Sequence, residues 1–233
     1  MTTPARLEWM IFDVDGTLAD TLPFCIAAYR HAFALHGHPD LDDAGVTALF
    51  GPSDEGIIRN VVGDAWQACY EDFYAYYTSE HDARVTPLPG VRELLAELAR
   101  RAVRLTVLTG KGEPTARYSL KRLGLLEFFD DVVCGSPAGR VKGERLAEMA
   151  RTAEIPGAQI GYIADEPPDM IAARKAEVVP VGAAWAAGSS AAALRAAGAA
   201  IVALQPDDLL RLRPPGRSVD RDPRIPPGGN AKE

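Results

Sequence analysis

The sequence predicts an α/β chain, a parallel sheet with helices on both faces, interrupted just after its first strand by an all-helical insertion. Three observations carry this. Residues 9–12, Trp-Met-Ile-Phe, form a short apolar run that ends on acids and a glycine, as a strand buried on both faces does. The next seventy or so residues show only helical periodicity. From Val91 onward, short apolar strands alternate regularly with amphipathic helices, the pattern of a sheet built from strand–helix–strand units.

Composition agrees and narrows the class. The 233 residues are 47% hydrophobic and 24% charged, which suits one large domain or a core with a smaller insertion. A formal charge of −7 argues against a nucleic-acid binder held by bulk charge. Cys25, Cys69 and Cys134 are widely spaced, with no C-x-x-C pair, and read as reduced, buried thiols. Residues 1–8 hold one basic residue and no apolar block, so no signal peptide is expected. The Ala-rich residues 183–204 are broken by Ser189, Ser190 and Arg195, a poor membrane span. The expected location is the cytoplasm, with no membrane and no nucleic-acid partner.

Taken in order, Asp20 and Thr21 are placed to cap a helix to about His36, with Phe24, Ala28 and Phe33 on its apolar side and Gly37 as its stop. A second helix starts near Leu41. A third follows Gly51-Pro52-Ser53, with Ser53 as cap and Asp54 and Glu55 in the electropositive first turn. A fourth covers about 64–81, where Trp66, Phe73 and Tyr77 recur at helical spacing as a packing stripe. After Pro87 and Pro89 the character changes. Val91, Leu94, Leu95 and Leu98 mark an amphipathic helix; strands are expected at 104–108, 132–133, 160–164 and 178–181, with helices at 114–123, 143–152 and 168–176. The plan is a Rossmann-like core of residues 1–18 and 89–210, a helical cap domain of residues 19–88, and a Pro/Arg-rich tail of residues 211–233. That tail carries six basic residues against three acidic and is expected to be disordered. Ligands of such sheets bind at the carboxyl ends of the strands. The insertion leaves from that end, so it would lie over the site.

The chemistry-bearing residues fall at those strand ends. Asp13 and Asp15 flank Val14 and point the same way if the extended geometry persists. Two such carboxylates need a cation or a proton between them, and hard divalent ions are bound by one or two carboxylates plus water and phosphate. Gly16 permits a tight turn, and the Thr17 hydroxyl can bond a neighbouring carboxylate. Strand 104–108 runs into Thr109 and Gly110, a hydroxyl and a backbone amide suited to a phosphate oxygen. Lys111 reads as a solvated neighbour. It is not part of a nucleotide P-loop, because Leu105 replaces the first glycine and Gly112 the final Ser/Thr. Lys142 stands at a helix start, where a cation opposes the helix dipole unless nearby acids and phosphate welcome it. Arg140 is its nearest competitor. The strand 160–164 runs into Asp165, with Asp169 four residues on, both able to face one cleft. His31, His36, His38 and His81 show no metal-ligand spacing and are assigned to surface or packing.

The string Asp13-Val14-Asp15-Gly16-Thr17, followed in order by Thr109, Lys142 and Asp165/Asp169, resembles the four motifs of the haloacid dehalogenase superfamily, and residues 170–174 and 181–185 resemble its phosphoglycolate-phosphatase-like branch. The resemblance implies a magnesium-dependent phosphatase of a small phosphorylated metabolite. Asp13 would be the nucleophile that forms an aspartyl-phosphate, and Asp15 the general acid and base. Thr109, Gly110 and Lys142 would hold the phosphoryl group. Asp13, Asp15, Asp165 and Asp169 would hold Mg2+, Asp169 through water or by bonding the lysine instead. The dehalogenases of the superfamily need no acid two residues after the nucleophile, so Asp15 favours phosphoryl chemistry. Three departures stand out: Gly143 follows Lys142 where many relatives have Pro, Ala164 replaces the glycine before Asp165, and Glu177 stands where Gly is common. Ser53, Glu55 and Arg59 are the candidate specificity residues; Arg59 suits an anionic substrate tail or an acid on its own helix equally well. The alternatives are a phosphomutase of the same superfamily and a catalytically weakened phosphometabolite-binding protein, in each case a monomer or homodimer.

Overall fold

The computed structural model describes residues 6–212; the tail predicted from residue 211 lies outside them apart from Arg211 and Leu212. The chain opens with β1 (Trp9–Phe12) and continues through α1 (Leu22–Leu35), α2 (Asp43–Ala48), α3 (Asp54–Val62) and α4 (Trp66–Arg84). Then follow α5 (Val91–Arg100), β2 (Arg104–Leu108), α6 (Glu113–Arg122), β3 (Asp131–Val133), α7 (Lys142–Thr152), β4 (Ile160–Ala164), α8 (Pro167–Lys175), β5 (Val179–Ala183), α9 (Ala191–Ala196) and β6 (Ile201–Ala203).

The strands form one six-stranded parallel sheet in the order β3-β2-β1-β4-β5-β6. β1 is central and buried throughout, and its residues alternate between two cores. Met10 and Phe12 join the apolar cluster under α5, while Trp9 and Ile11 join that of Tyr162, Leu146 and Met170. This two-sided burial is why the strand reads as a continuous apolar run. The chain order reverses between β1 and β4, the place where such sheets open a crevice at their carboxyl ends. β6 and α9, within the Ala-rich residues 183–204, extend the sheet by one unit beyond the sequence prediction. None of the described helices is long and apolar enough to cross a membrane.

Helices α1–α4 pack around an apolar centre of their own, with Phe73 and Tyr77 fully buried and Tyr29 stacked on Phe73 at 4.6 Å. The aromatic stripe of α4 is thus packing. The insertion's entry and exit lie side by side: Ala19 bridges Pro87, and the Leu88 N–H donates to the Leu18 carbonyl at 3.1 Å. Two expected helix caps differ from the reading. Thr21 is the N-cap residue of α1, but its hydroxyl donates to Asp15. Ser53 is the N-cap residue of α3 without a side-chain cap bond; its backbone N–H instead donates to the Ser136 carbonyl at 2.8 Å, docking α3 against the sheet unit.

Candidate active site

A cavity of about 710 Å3 opens at the carboxyl ends of β1 and β4, between the sheet and the helical unit. Asp13 is held there by register. Phe12 pairs with Ile163 of β4 and Val107 of β2, and the Asp13 N–H donates to the Ile163 carbonyl at 2.9 Å. The Asp13 side chain is buried, with Oδ1 accepting the Val14 N–H at 2.8 Å and Oδ2 accepting the Lys142 ammonium at 2.7 Å. That ammonium also donates to Asp169 Oδ2 at 2.9 Å, so the first turns of α7 and α8 meet over the end of β1. Burial pushes the Asp13 carboxyl up to about 6; Lys142 opposes the rise, while Asp169 and Asp15 add to it. Burial alone would depress the Lys142 ammonium, but Asp13 and Asp169 hold it well above its ordinary value.

Asp165 follows β4 directly beside this pair. Thr17 donates to its Oδ1 at 3.2 Å, and the Trp185 indole donates to the Thr17 carbonyl at 2.9 Å, bracing the turn. Gly16 has φ +70°, and a Cβ there would stand 2.1 Å from Asp165 Oδ2. The glycine is therefore required by the close approach of an acid as well as by its conformation. Burial, then Asp13 and Glu166, push Asp165 up to about 7. Ala164 is buried in β4 with its methyl packed in the core, so the replacement of glycine before Asp165 is absorbed without left-handed backbone.

Asp13, Asp15, Gly110, Lys142, Asp165 and Asp169 all line the cavity. Thr109 lies at the end of β2, fully buried, with its hydroxyl accepting the Lys111 N–H at 3.2 Å rather than facing the cavity. Around the candidate specificity residues, the cavity is lined by Gly51, Pro52 and Asp54, and by the flanking Phe50 and Ile57. Ser53, Glu55 and Arg59 do not line it. Of the two readings of Arg59, the structure takes the local one: its guanidinium pairs with Glu55 at 2.5 Å and stacks on Trp66 at 4.0 Å. Arg140, the competitor of Lys142, donates to the Phe50 carbonyl at 2.5 Å. His81 is buried against Ser119 at 2.9 Å, a packing role, with burial pushing its pKa down to about 4.

Lys111 overturns the sequence reading. It is buried, not solvated, and donates to Asp15 Oδ1 at 3.1 Å and to Cys25 Sγ at 2.8 Å. The sequence missed it because its cover, Cys25 and Tyr77, comes from helices distant in the chain. Asp54 likewise reads in the sequence as a first-turn acid, whereas in the fold it is buried and bonds Tyr29, Gly112 and Thr115.

No group of three or more His, Cys, Asp or Glu among the described residues forms a ready-made metal cage. Burial nonetheless favours protonation of both Asp13 and Asp165, and neighbouring carboxylates add to it, Asp169 and Asp15 for the first and Asp13 and Glu166 for the second, the condition a cation relieves. Magnesium asks for only one or two carboxylates, completing its shell with water and substrate phosphate, so this donor set fits it.

The family model described as haloacid dehalogenase-like hydrolase matches residues 10–183, from β1 through β5. The chain belongs to this family. Among curated proteins it is 31% identical over 144 residues to the tyrosine-protein kinase PtkA of Mycobacterium tuberculosis, a match covering 61% of this chain and 49% of that protein. The chain thus spans about half the length of that relative. It is 31% identical over 186 residues to the phosphoglycolate phosphatase of Rhodospirillum rubrum, covering 74% of this chain and 77% of that one. Among solved structures, one described as a predicted phosphoglycolate phosphatase from Haemophilus somnus superposes with a TM-score of 0.73 at 19% identity, over 91% of this chain and 99% of that one, which shows the shared fold.

Proposed function

We propose that this hydrolase-family chain is a magnesium-dependent phosphatase of a small phosphorylated metabolite, acting through an aspartyl-phosphate on Asp13. One observation carries the reading. A buried carboxylate at the end of the central strand is held by a lysine that a second acid also holds, and Asp15 lines the same cavity. Lys142 favours the ionised, nucleophilic form of Asp13 against the burial that would protonate it. A carboxylate oxygen of Asp13 attacks phosphorus in line, and Asp15 gives its proton to the departing oxygen. Asp15 then takes a proton from water, which attacks the same phosphorus and releases phosphate, restoring Asp13. Lys142 and the Gly110 amide stabilise the phosphoryl oxygens as charge moves onto them, Thr109 fixing the turn that presents Gly110. Asp13 and Asp165 would hold the magnesium; Asp15, predicted as a further ligand, has its carboxylate committed to Lys111, Thr21 and the proton transfers, and Asp169, engaged by Lys142, would reach the ion through water. When bound, the ion neutralises phosphoryl oxygens and orients them.

The helical unit of residues 19–88 serves as a cap in this reading, because Leu22, Tyr29, Phe50 and Ile57 line the cavity opposite the acids. Support for a small phosphomonoester comes from the phosphoglycolate phosphatases among its relatives. Phosphate release from a panel of phosphoglycolate, sugar phosphates, nucleoside monophosphates and pyrophosphate, with magnesium and with chelator, tests it. Magnesium-dependent release from at least one compound is expected. Silence across the panel from folded protein would overturn the reading.

A further inference from the structure

Lys111 is the buried cation that the phosphatase reading leaves without a task. Its side chain is 4% exposed, at the end of β2, and its Nζ meets Asp15 Oδ1, Cys25 Sγ and the face of Tyr77, 5.4 Å from the ring centroid. An ammonium has three N–H donors, and these three neighbours occupy its directions. The residue also borders the cavity, but its ammonium is already engaged on the protein side by Asp15 and Cys25. Burying an ammonium costs several kcal/mol unless a carboxylate and further donors or acceptors compensate it. A merely solvated turn residue would not be held here.

What Lys111 does to Asp15 is specific to one oxygen. The Thr21 hydroxyl also donates to Asp15 Oδ1, and Cys25 Sγ approaches the same atom at 4.0 Å. All the hydrogen bonds that Asp15 accepts among the described residues fall on Oδ1. The carboxylate itself is 27% exposed and lines the cavity. Thr21, Cys25 and Tyr77 belong to the helical unit, whereas Asp15 and Lys111 belong to the sheet unit. The grip on Oδ1 is thus assembled where the two units meet.

We propose that Lys111 is a positioning residue for Asp15, pinning Oδ1 together with Thr21 so that Oδ2 faces the reacting group. This rests on the phosphatase reading. Oδ2 is then the oxygen that passes a proton to the departing alkoxide and takes one from the attacking water. Without Lys111 the carboxylate rotates, and both transfers lose their geometry.

p-Nitrophenyl phosphate separates this role from a structural one, because p-nitrophenolate leaves without being protonated. Its first step needs Asp13 but not an oriented Asp15; the second step needs both. In Lys111→Met, a burst of one p-nitrophenolate per site should persist near the wild-type rate. Steady-state turnover should fall about 10- to 100-fold, and an alkyl phosphate should lose its burst as well. The double variant Lys111→Met/Asp15→Asn should be no slower than Asp15→Asn alone, since the two act as a unit. Lys111→Gln, which keeps an N–H for Oδ1, should recover turnover to within about fivefold of wild type; it also serves if the methionine variant does not fold. Burst and turnover falling together, additive losses in the double variant, or unchanged turnover would each overturn the proposal while leaving the phosphatase reading intact. A wild-type protein that releases neither p-nitrophenolate nor phosphate from any compound of the metabolite panel would overturn both.

Discussion

Asp54 sits in the first turn of α3 yet directs its carboxylate into the sheet unit. Its Oδ1 accepts the Tyr29 hydroxyl at 2.6 Å; its Oδ2 accepts the Gly112 N–H at 2.8 Å and the Thr115 hydroxyl. Gly112 is the N-cap residue of α6 and has no side chain to satisfy that helix end, so Asp54 caps it from another segment. Asp54→Ala leaves the Tyr29 hydroxyl and the Gly112 N–H without partners, whereas Thr115 keeps the Gly112 carbonyl at 3.1 Å. Each orphaned donor costs about 1–3 kcal/mol, and release of a buried carboxylate offsets part of the sum. The net expectation is a loss of about 2–4 kcal/mol, which for a chain of this size lowers Tm by roughly 4–16 °C. Asp54→Asn keeps one acceptor oxygen and should lose about half as much. Thermal melts give the global value, and hydrogen exchange at the Gly112 amide gives the local one, which should lose protection in step. A melt within about 0.5 kcal/mol of wild type, with Gly112 still protected, would refute the cross-unit cap.

Three further outcomes follow from the same geometry. Gly16→Ala puts a methyl group into Asp165 at a left-handed φ, so it should cost about 1–2 kcal/mol of stability but about 100-fold or more in turnover; a fully active variant would show that Asp165 need not stay put. Glu177 carries φ +57°, where glycine is unstrained, and Glu177→Gly should raise the denaturation midpoint by the equivalent of about 0.5 kcal/mol after the entropy of the unfolded chain is counted; a lower midpoint contradicts this. Asp13 and Asp165 are raised to about 6 and about 7, so their contribution to stability is fully present below the unfolded carboxyl value and is lost as pH rises through those values. Magnesium should therefore raise Tm more at about pH 8 than at about pH 5, and equal shifts would contradict the assignment of these acids to the ion.

The parts of the fold legible in the sequence are those whose environment is uniform along the element. β1 and β4 are buried throughout and so read as nearly unbroken apolar runs, and β2 is buried from Leu105 onward. α5 alternates cleanly because Val91, Leu94, Leu95 and Leu98 all face one core. β6 and α9 were not legible, since nearly every residue of 191–200 is Ala or Gly, which fits helix, strand or turn alike, and the three-residue strand is specified by its pairing with β5. Asp13, Thr109 and Asp165 were readable because sheet register brings their strand ends together, and Lys142 and Asp169 join them from the first turns of α7 and α8. Lys111 and Asp54 were not, because burial by the helical unit decides their roles, and no local pattern announces that cover. Arg59 shows the converse. Its i,i+4 spacing to Glu55 and the nearby Trp66 satisfy it on its own surface.

The central claim is a covalent phosphoryl group on Asp13. The direct measurement is acid quenching during magnesium-supported turnover of p-nitrophenyl phosphate, followed by peptide mass mapping. The account predicts one phosphoryl group on the peptide carrying Asp13, absent in Asp13→Asn and absent with chelator. Phosphoryl transfer to another residue, or undiminished turnover by Asp13→Asn, would contradict it.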